Sequence, residues 1–351
     1  MKLALITDTH WGVRNDNPAF LDNNKLFLDN VFYPTLEREN IRTVVHLGDL
    51  VDRRKFINFN TASRLRHDFL EPLHQKGIDV HILAGNHDTF HKNTNSINAL
   101  NELVQDRYGF NLYMDYPKEV EFDNTTILMT PWICDENRKV SFDKIKSTPA
   151  QVLLGHLELS GFDMYRGSPA LHGDDPNLFS RFDMVCSGHY HTRSNAGNIT
   201  YLGAHAEFTW SDYNDPRGFH IFDTDTRTLT FIRNPYIMFE KVWYDDSTDQ
   251  SSFDPTYLKN KIIKVIVTNK NDPYLFDIFI SNIDKMGIID LQIVEDHLNL
   301  DLAEEDDIID EAESTLSIFK KYIDSSPLQN INKTRLENTV TELYNEALTI
   351  S

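Results

Sequence analysis

Four short apolar runs in this chain each stop abruptly at residues with ligand chemistry. Residues 3–6 run into Asp8 and His10, 44–47 into Asp49, 80–83 into Asn86, His87 and Asp88, and 152–154 into His156. Runs that are largely apolar at consecutive positions, broken only by His46 and His81, read as strands covered on both faces. Between the runs lie helix-length segments, 25–39 and 62–75, so the first half alternates strand and helix as a layered α/β domain does. In such sheets ligands gather beyond the carboxyl ends of the strands, which is where the polar residues stand. Further β-like segments at 183–187, 199–203, 218–223 and 228–232 imply a two-sheet core.

At 351 residues the chain exceeds the roughly 250–300 at which one core stops growing, so a large domain and something smaller are expected. The polar stretch 245–252 is the candidate linker. Beyond it, 262–267 is strand-like, 275–286 has helical spacing and 289–293 alternates, which together predict a small βαβ unit. The expected division is 1–240 for the large domain, 253–298 for a small α/β cap and 299–351 for the remainder. That last part opens with an acid run whose members are Asp301, Glu304, Glu305, Asp306, Asp307, Asp310, Glu311 and Glu313. Two amphipathic stripes follow, Ile309, Ala312, Leu316, Phe319 and Ile323, then Leu336, Val340, Leu343 and Ala347.

The sum of 34 Lys+Arg and 54 Asp+Glu is a net charge of −20, which argues against DNA affinity built on the chain's own basic surface. Metals or a partner must help. Two cysteines, Cys134 and Cys186, make no disulfide framework and suit a reducing compartment. The opening apolar run is too short for a signal peptide, and no stretch approaches the roughly 20 apolar residues of a membrane span. The expectation is a soluble, cytoplasmic protein, in the host's cytoplasm if a phage encodes it.

Hydrolysis of phosphate esters by divalent transition ions uses imidazole, carboxylate and carboxamide ligands, one carboxylate bridging two ions about 3.5–4 Å apart. The chain supplies such a set in order: Asp8-Thr9-His10, Gly48-Asp49, Gly85-Asn86-His87-Asp88, Gly155-His156 and Gly188-His189-Tyr190-His191. Each piece alone is commonplace, and a lone histidine is more often structural than a ligand. The conjunction, each piece following an apolar run, is specific.

In these motifs the sequence resembles the calcineurin-like metallophosphoesterase superfamily. Gly12, the run Gly48-Asp49-Leu50-Val51-Asp52, Pro131-Trp132 and Asn214-Asp215-Pro216-Arg217-Gly218-Phe219 narrow the likeness to the SbcD-type nuclease subunits of double-strand-break repair, nearest the T-even phage branch. The likeness is strong over about the first 235 residues. It implies a two-sheet α/β sandwich flanked by helices, with a small α/β cap and C-terminal helices. It also implies that one ion is held by Asp8, His10, Asp49 and His191 and the other by Asp49, Asn86, His156 and His189, manganese being the metal expected. His87 would then be the general acid for the leaving oxygen, with Asp88 orienting its ring. Trp11 and Asp52 stand where many relatives carry a small aliphatic residue and some a histidine.

The resemblance further implies 3′-to-5′ duplex exonuclease and single-strand endonuclease action on DNA ends. The C-terminal helices would dock on an SbcC-type coiled-coil ATPase, two copies of the chain pairing within a heterotetramer. Arg53 and Arg54, next to the Asp49 loop, are candidate DNA-backbone contacts, although a short basic run is commonly a solvated face. His172 and His205 lack supporting spacing, and Trp11, Trp132 and Trp210 read as core more readily than as base platforms. Two other functions remain in view. A phosphomonoesterase or cyclic-nucleotide phosphodiesterase would use the same ligands, and a non-catalytic end-tethering scaffold would keep the site as a relic.

Overall fold

The computed structural model describes residues 1–248 and 253–295. The chain divides into two compact units, 1–304 and 305–351, and the described residues all belong to the first. The acid run, both C-terminal amphipathic stripes and the last four residues of the expected linker lie outside the described residues.

Strands β1 (Lys2–Ile6), β2 (Thr43–His46), β3 (Asp79–Leu83) and β4 (Asn111–Tyr113) run parallel. β5 (Lys118–Phe122) and β6 (Thr125–Thr130) form a hairpin, and β7 (Val152–His156) lies parallel to β6. A small hairpin, β8 (Asp163–Tyr165) and β9 (Ser168–Pro169), leads to β10 (Met184–Gly188), then β11 (Ser194–Ala196) and β12 (Ile199–Tyr201). β13 (Gly218–Asp223) and β14 (Thr228–Arg233) complete the two large sheets. The first sheet has the order β14-β13-β1-β2-β3-β4 and the second β11-β12-β10-β7-β6-β5. The late β-like segments are therefore shared between the sheets: β13 returns antiparallel to β1, Leu3 facing Phe222, whereas β10 and β12 join β7.

Period-two alternation explains why the central strands are apolar on both faces at most positions. Leu3, Leu5, Val45, Leu47, Leu83, Met129, Val152, Leu154 and Phe222 fill the layer between the sheets. Ala4, Ile6, Val44, Val80 and Ile82 point the other way, onto the helices with Phe27, Phe32 and Phe69. Leu128, Leu153 and Val185 do the same for the second sheet, against Ile145 of the helix Arg138–Ser147.

Both crossover helices carry a wide π turn ahead of a proline. The first starts at Pro18, capped by the Asn17 side chain, and passes through Leu28–Phe32 before Pro34. The second starts at Phe59 and passes through Leu65–Leu70 before Pro72. A proline within a helix cannot donate to the carbonyl four residues back, and its ring displaces that carbonyl. For Pro72 that carbonyl is Asp68, and the Tyr33 hydroxyl of the neighbouring helix donates to it at 2.6 Å.

A three-stranded sheet follows, β15 (Phe239–Asp245), β16 (Ile262–Asn269) and β17 (Asp290–Val294), with the helix Pro273–Asp284 packed on one face. The expected βαβ unit is present, but its first strand pairs in parallel with β15, which starts before the expected linker and includes Asp245. The sheet's opposite face packs, within the same compact unit, against Trp210: Phe239 lies 5.0 Å from it, and Lys264, fully buried, places its ammonium 4.3 Å from the same ring.

Candidate metal centre

All five motif-bearing strands end at one edge of the sandwich. Leaving β1 the chain turns left-handed at Asp8 (φ 51°) and His10 (φ 41°), leaving β2 at Asp49 (φ 55°), and leaving β10 at His189 (φ 92°). Non-glycine residues in that region cost about 1–3 kcal/mol each and persist only where their surroundings over-determine them. The N–H groups of Asp8, His10 and Trp11 donate to the carbonyls of Gly48, Asp49 and Leu50 at 3.0, 3.1 and 3.0 Å, zipping the first two loops together. The His189 N–H donates to both oxygens of Asp8, at 3.1 and 3.2 Å, which ties the second sheet to the first.

Asp8, His10 and His191 each offer a donor atom within 4.8 Å of the others, and Asp49, His156 and His189 form a second such set. Asn86 joins the second: its Oδ1 lies 3.0 Å from His156 Nε2 and 2.9 Å from His189 Nδ1. Asp49 stands between the sets, Oδ2 being 3.3 Å from His156 Nε2 and 3.8 Å from His10 Nε2, as a bridging carboxylate requires. The structure thus brings together all seven residues expected as ligands.

The donor set suits a pair of divalent transition ions. His10 Nε2 and His191 Nε2 approach to 3.0 Å, so at least one must present a bare lone pair to the space they share. The outer nitrogen of His156 is held as a ligand histidine's is held, while that of His10 only approaches a carboxylate. His156 Nδ1 donates to the Leu47 carbonyl at 2.8 Å, and Asp52 Oδ1 stands 3.3 Å from His10 Nδ1.

Charge follows the same plan. Burial opposes the imidazolium form of His10, yet Asp52, Asp49 and Asp8 outweigh it and hold its pKa at about 9. His156 is likewise lifted against its burial to about 9, chiefly by Asp49. Burial, reinforced by the neighbouring His10, depresses His191 to about 3. Asp49, buried though it is, is held well below the carboxylate range by His156, His87 and His10. Burial, with Asp49 adding to it, pushes Asp8 up. In this arrangement buried carboxylates and imidazoles are paired, so a cation bound here takes the place of protons on His10 and His156.

Two glycines show how tightly the ligands pack. A Cβ on Gly85 would lie 2.1 Å from Asp49 Oδ1, and one on Gly48, where φ is 100°, would lie 2.4 Å from the His156 ring. The crowding is against the ligands themselves.

His87, 8% exposed, sits edge-on to His10 with ring centroids 4.6 Å apart. Its Nδ1 donates to the Asp52 carbonyl at 2.5 Å. A carbonyl only accepts, so Nδ1 keeps its proton and the exchangeable one belongs to Nε2. Asp88, the residue expected to orient this ring, is itself anchored to backbone. Its two oxygens accept from the backbone N–H groups of Val51 and Gly85, at 3.0 and 2.8 Å, so it joins the second and third ligand loops, and the ring is oriented from Asp52. Burial and nearby Asp49 raise Asp88 to about 6.

Arg53 pairs with Asp16 at 2.9 Å, and Arg54 reaches Thr89 at 3.4 Å, both on the loop beyond Asp52. His172 pairs with Glu158 at 3.0 Å, and His205 is buried against Asn24, both outside the ligand sets. Trp11 and Trp210 are core, but Trp132 is half-buried with its ring 5.3 Å from that of His189. Phe208, whose ring lies 5.6 Å from His10 and 5.7 Å from His191, was not signalled by the sequence, because nothing near it repeats a motif.

Residues 1–193 match the calcineurin-like phosphoesterase family. The chain is 32% identical to exonuclease subunit 1 of Enterobacteria phage T4, covering 99% of each chain. It is 24% identical to the SbcD subunit of nuclease SbcCD from Staphylococcus epidermidis, over 66% of this chain and 69% of that one. It is 28% identical to the DNA double-strand break repair protein Mre11 of Sulfurisphaera tokodaii, over 54% of this chain and 48% of that one. A family match across more than half the chain, a relative similar from end to end, and seven ligand-type residues gathered at one edge of a two-sheet α/β sandwich lead to one conclusion: this chain belongs to the calcineurin-like phosphoesterases.

Proposed function

We propose that the chain is the nuclease subunit of an SbcCD-type complex that processes DNA ends, a metal-dependent phosphodiesterase cutting duplex ends 3′ to 5′ and single strands internally. The observation that carries the nuclease reading, as against another phosphoesterase, is the extent of similarity. The match to the phage exonuclease subunit covers 99% of the chain, far past residue 193 where the family match ends. The SbcD and Mre11 relatives support the same substrate class.

Two divalent ions, manganese by this proposal, would neutralise charge on the phosphodiester and acidify a water that attacks it. Asp8, His10, Asp49 and His191 would hold one, and Asp49, Asn86, His156 and His189 the other. His87 gives its Nε2 proton to the departing 3′-oxygen and is left as the neutral Nδ1–H tautomer that the Asp52 carbonyl already holds. Asp88 keeps the loops of Asp49 and Asn86 in register. Arg53 and Arg54 would lie along the DNA backbone.

The division 1–240, 253–298 and 299–351 assigns the small sheet to positioning DNA and the C-terminal segment to an SbcC-type coiled-coil ATPase. That partner supplies the basic surface that a chain of net charge −20 lacks, and two nuclease chains pair in a heterotetramer. Among the described residues no helix is long and apolar enough to cross a membrane, and the proposed place of work is the cytoplasm.

The test is manganese-dependent digestion of a linear duplex beside hydrolysis of a phosphomonoester, by wild type and His87→Ser, with bound metal counted in both. The expected result is duplex digestion that falls about 10²- to 10⁴-fold in the variant while the metal content stays. Cleavage of the monoester alone would move the small-molecule phosphatase ahead. Loss of metal with the substitution would make His87 a ligand, since its ring also lies within 4.8 Å of His10 and Asp49 donor atoms.

A further inference from the structure

The segment Asn214–Phe219 holds none of the expected ligands, yet its Arg217 is 3% exposed and pairs with Asp212 at 2.6 Å and Asp215 at 3.1 Å. A buried ion pair adds little net stability over apolar packing; what it adds is one fixed geometry. Here the geometry fixed is that of Phe208. Asp212 Oδ2 accepts from the N–H groups of Phe208 and Thr209 at 2.6 and 2.9 Å. The Phe208 carbonyl accepts from Arg14 Nε at 2.8 Å. Arg14 itself stands in a run of left-handed residues, Arg14, Asn15 and Asp16 (φ 54°, 57° and 59°), a conformation that persists only where the surroundings hold it. Both ends of the Phe208 backbone unit are thus held by charged side chains.

The ring so held, 2% exposed as a residue, crosses the imidazoles of His10 and His191 at nearly the same angle, 76° and 77°. In each pair the edge of one ring meets the face of the other, so an imidazole that turns strikes the phenyl. That restraint has a task. His10 Nε2 and His191 Nε2 stand 3.0 Å apart; one shared proton makes this a hydrogen bond, and a cation that displaces the proton leaves two lone pairs converging. Among the described residues His10 Nδ1 has no hydrogen-bond partner to hold its ring from behind. The other ligand set is built differently, its His156 being tied to the Leu47 carbonyl at 2.8 Å. We infer that Phe208 is the positioning residue of the ion site that includes His10 and His191, with Arg14, Asp212 and Arg217 as its clamp; the inference rests on the two-ion reading above. Phe208 acts through the two imidazoles, keeping them aimed at one point before an ion arrives, so little ordering is left for the ion to drive. The consequence is an asymmetry: loosening Phe208 weakens the ion held by His10 and His191 and spares the ion held by Asn86, His156 and His189.

The test is manganese titration of the chelated full-length chain, as wild type, Phe208→Ala, Phe208→Leu and Arg14→Met. Calorimetry reads the two binding steps, and electron paramagnetic resonance distinguishes a coupled pair of manganese ions from a lone one, both without turnover. Wild type should take up two ions and show the coupled spectrum. Phe208→Ala should weaken one step roughly 10- to 100-fold, the effect of losing an outer partner of a metal ligand, and leave the other unchanged. The lone-ion spectrum should then appear at manganese concentrations where wild type is coupled. Phe208→Leu, which fills the space without a flat ring, and Arg14→Met, which keeps the ring and removes one end of the clamp, should weaken the same single step by less. Two unchanged steps in Phe208→Ala overturn the inference. So do two steps weakened together, which would make Phe208 an ordinary core residue. If Phe208→Ala does not fold, the other two variants decide by the same criterion. A wild type that binds fewer than two ions sinks the two-ion reading itself, and this inference with it.

Discussion

The carboxyl of Glu207 shows how a single side chain reports on its surroundings. It is 3% exposed, and its Oε2 accepts from the N–H groups of Met238 and Phe239 at 2.7 and 3.0 Å, fixing the start of β15 against the large domain. Burial raises its pKa to about 7 despite those two bonds, with Asp212 adding to the rise and Arg217 opposing it. An unfolded glutamate titrates near 4.3, so between about pH 4.5 and 7 the native state binds more protons than the unfolded one. Stability from this group is therefore greatest below that window and falls as pH rises through it. Glu207→Gln removes the titration, so its unfolding free energy relative to wild type should rise between pH 5 and 8 by on the order of 2–3 kcal/mol. Urea unfolding at the two pH values measures this, and a flat difference would mean that the carboxyl titrates as an exposed one does. Glu207 carries no sequence signal because its role comes from a backbone more than thirty residues away. The seven ligand-type residues were legible for the opposite reason: each directly follows an apolar run, so chemistry and position are written together. The Asp52 carbonyl, which accepts from His87 Nδ1, is a backbone group, and no side-chain pattern announces it.

At the scale of elements, β1, β2, β3 and β7 could be read because burial on both faces leaves few polar residues in the run, His46 and His81 among them. β5 (Lys-Glu-Val-Glu-Phe) and β15 (Phe-Glu-Lys-Val-Trp-Tyr-Asp) mix charged residues into half-exposed positions and pass for loop or helix. The segments of β13 and β14 were legible as strands, but their sheet was not: pairing Leu3 with Phe222 is a contact across the whole domain. The helix ahead of β2 begins earlier than its apolar spacing implies, because Asn17 and Pro18 form the cap and first turn. Its tie to the next helix yields a measurable quantity. Pro72 leaves the Asp68 carbonyl without its helical donor, and the Tyr33 hydroxyl, 2.6 Å away and 7% exposed as a residue, takes that place. Tyr33→Phe keeps the ring packing and abandons a buried carbonyl, which should cost about 1–3 kcal/mol in urea unfolding with an unchanged m-value. A loss under a few tenths would mean that water replaces the hydroxyl.

At the scale of the whole molecule, the centre draws its ligand-type residues from both sheets: Asp8, His10, Asp49 and Asn86 follow strands of the first, while His156, His189 and His191 belong to or follow strands of the second. Asp8 and Asp49 are both fully or almost fully shielded from solvent there, and burial with Asp49 beside it pushes Asp8 up. Four left-handed turns at ligand positions add strain to the same edge. Any ion bound at that edge is thus a cross-link between the layers, and because the unfolded chain scatters these residues, ion binding is linked to folding. One site at a free concentration 100 times its dissociation constant contributes about 2.7 kcal/mol. For a chain of this size that raises the unfolding midpoint by roughly 4 °C. Calorimetry of chelated protein, repeated as manganese is titrated back, should give a midpoint that climbs with the logarithm of free ion. The His87→Ser variant should follow the same curve, because His87 is assigned to proton transfer and not to holding the ions. A midpoint indifferent to chelation would mean that these seven residues hold the two sheets together without metal, and that the centre is structural. A His87→Ser curve displaced from wild type would place that ring among the ligands and leave the leaving-group proton without a donor.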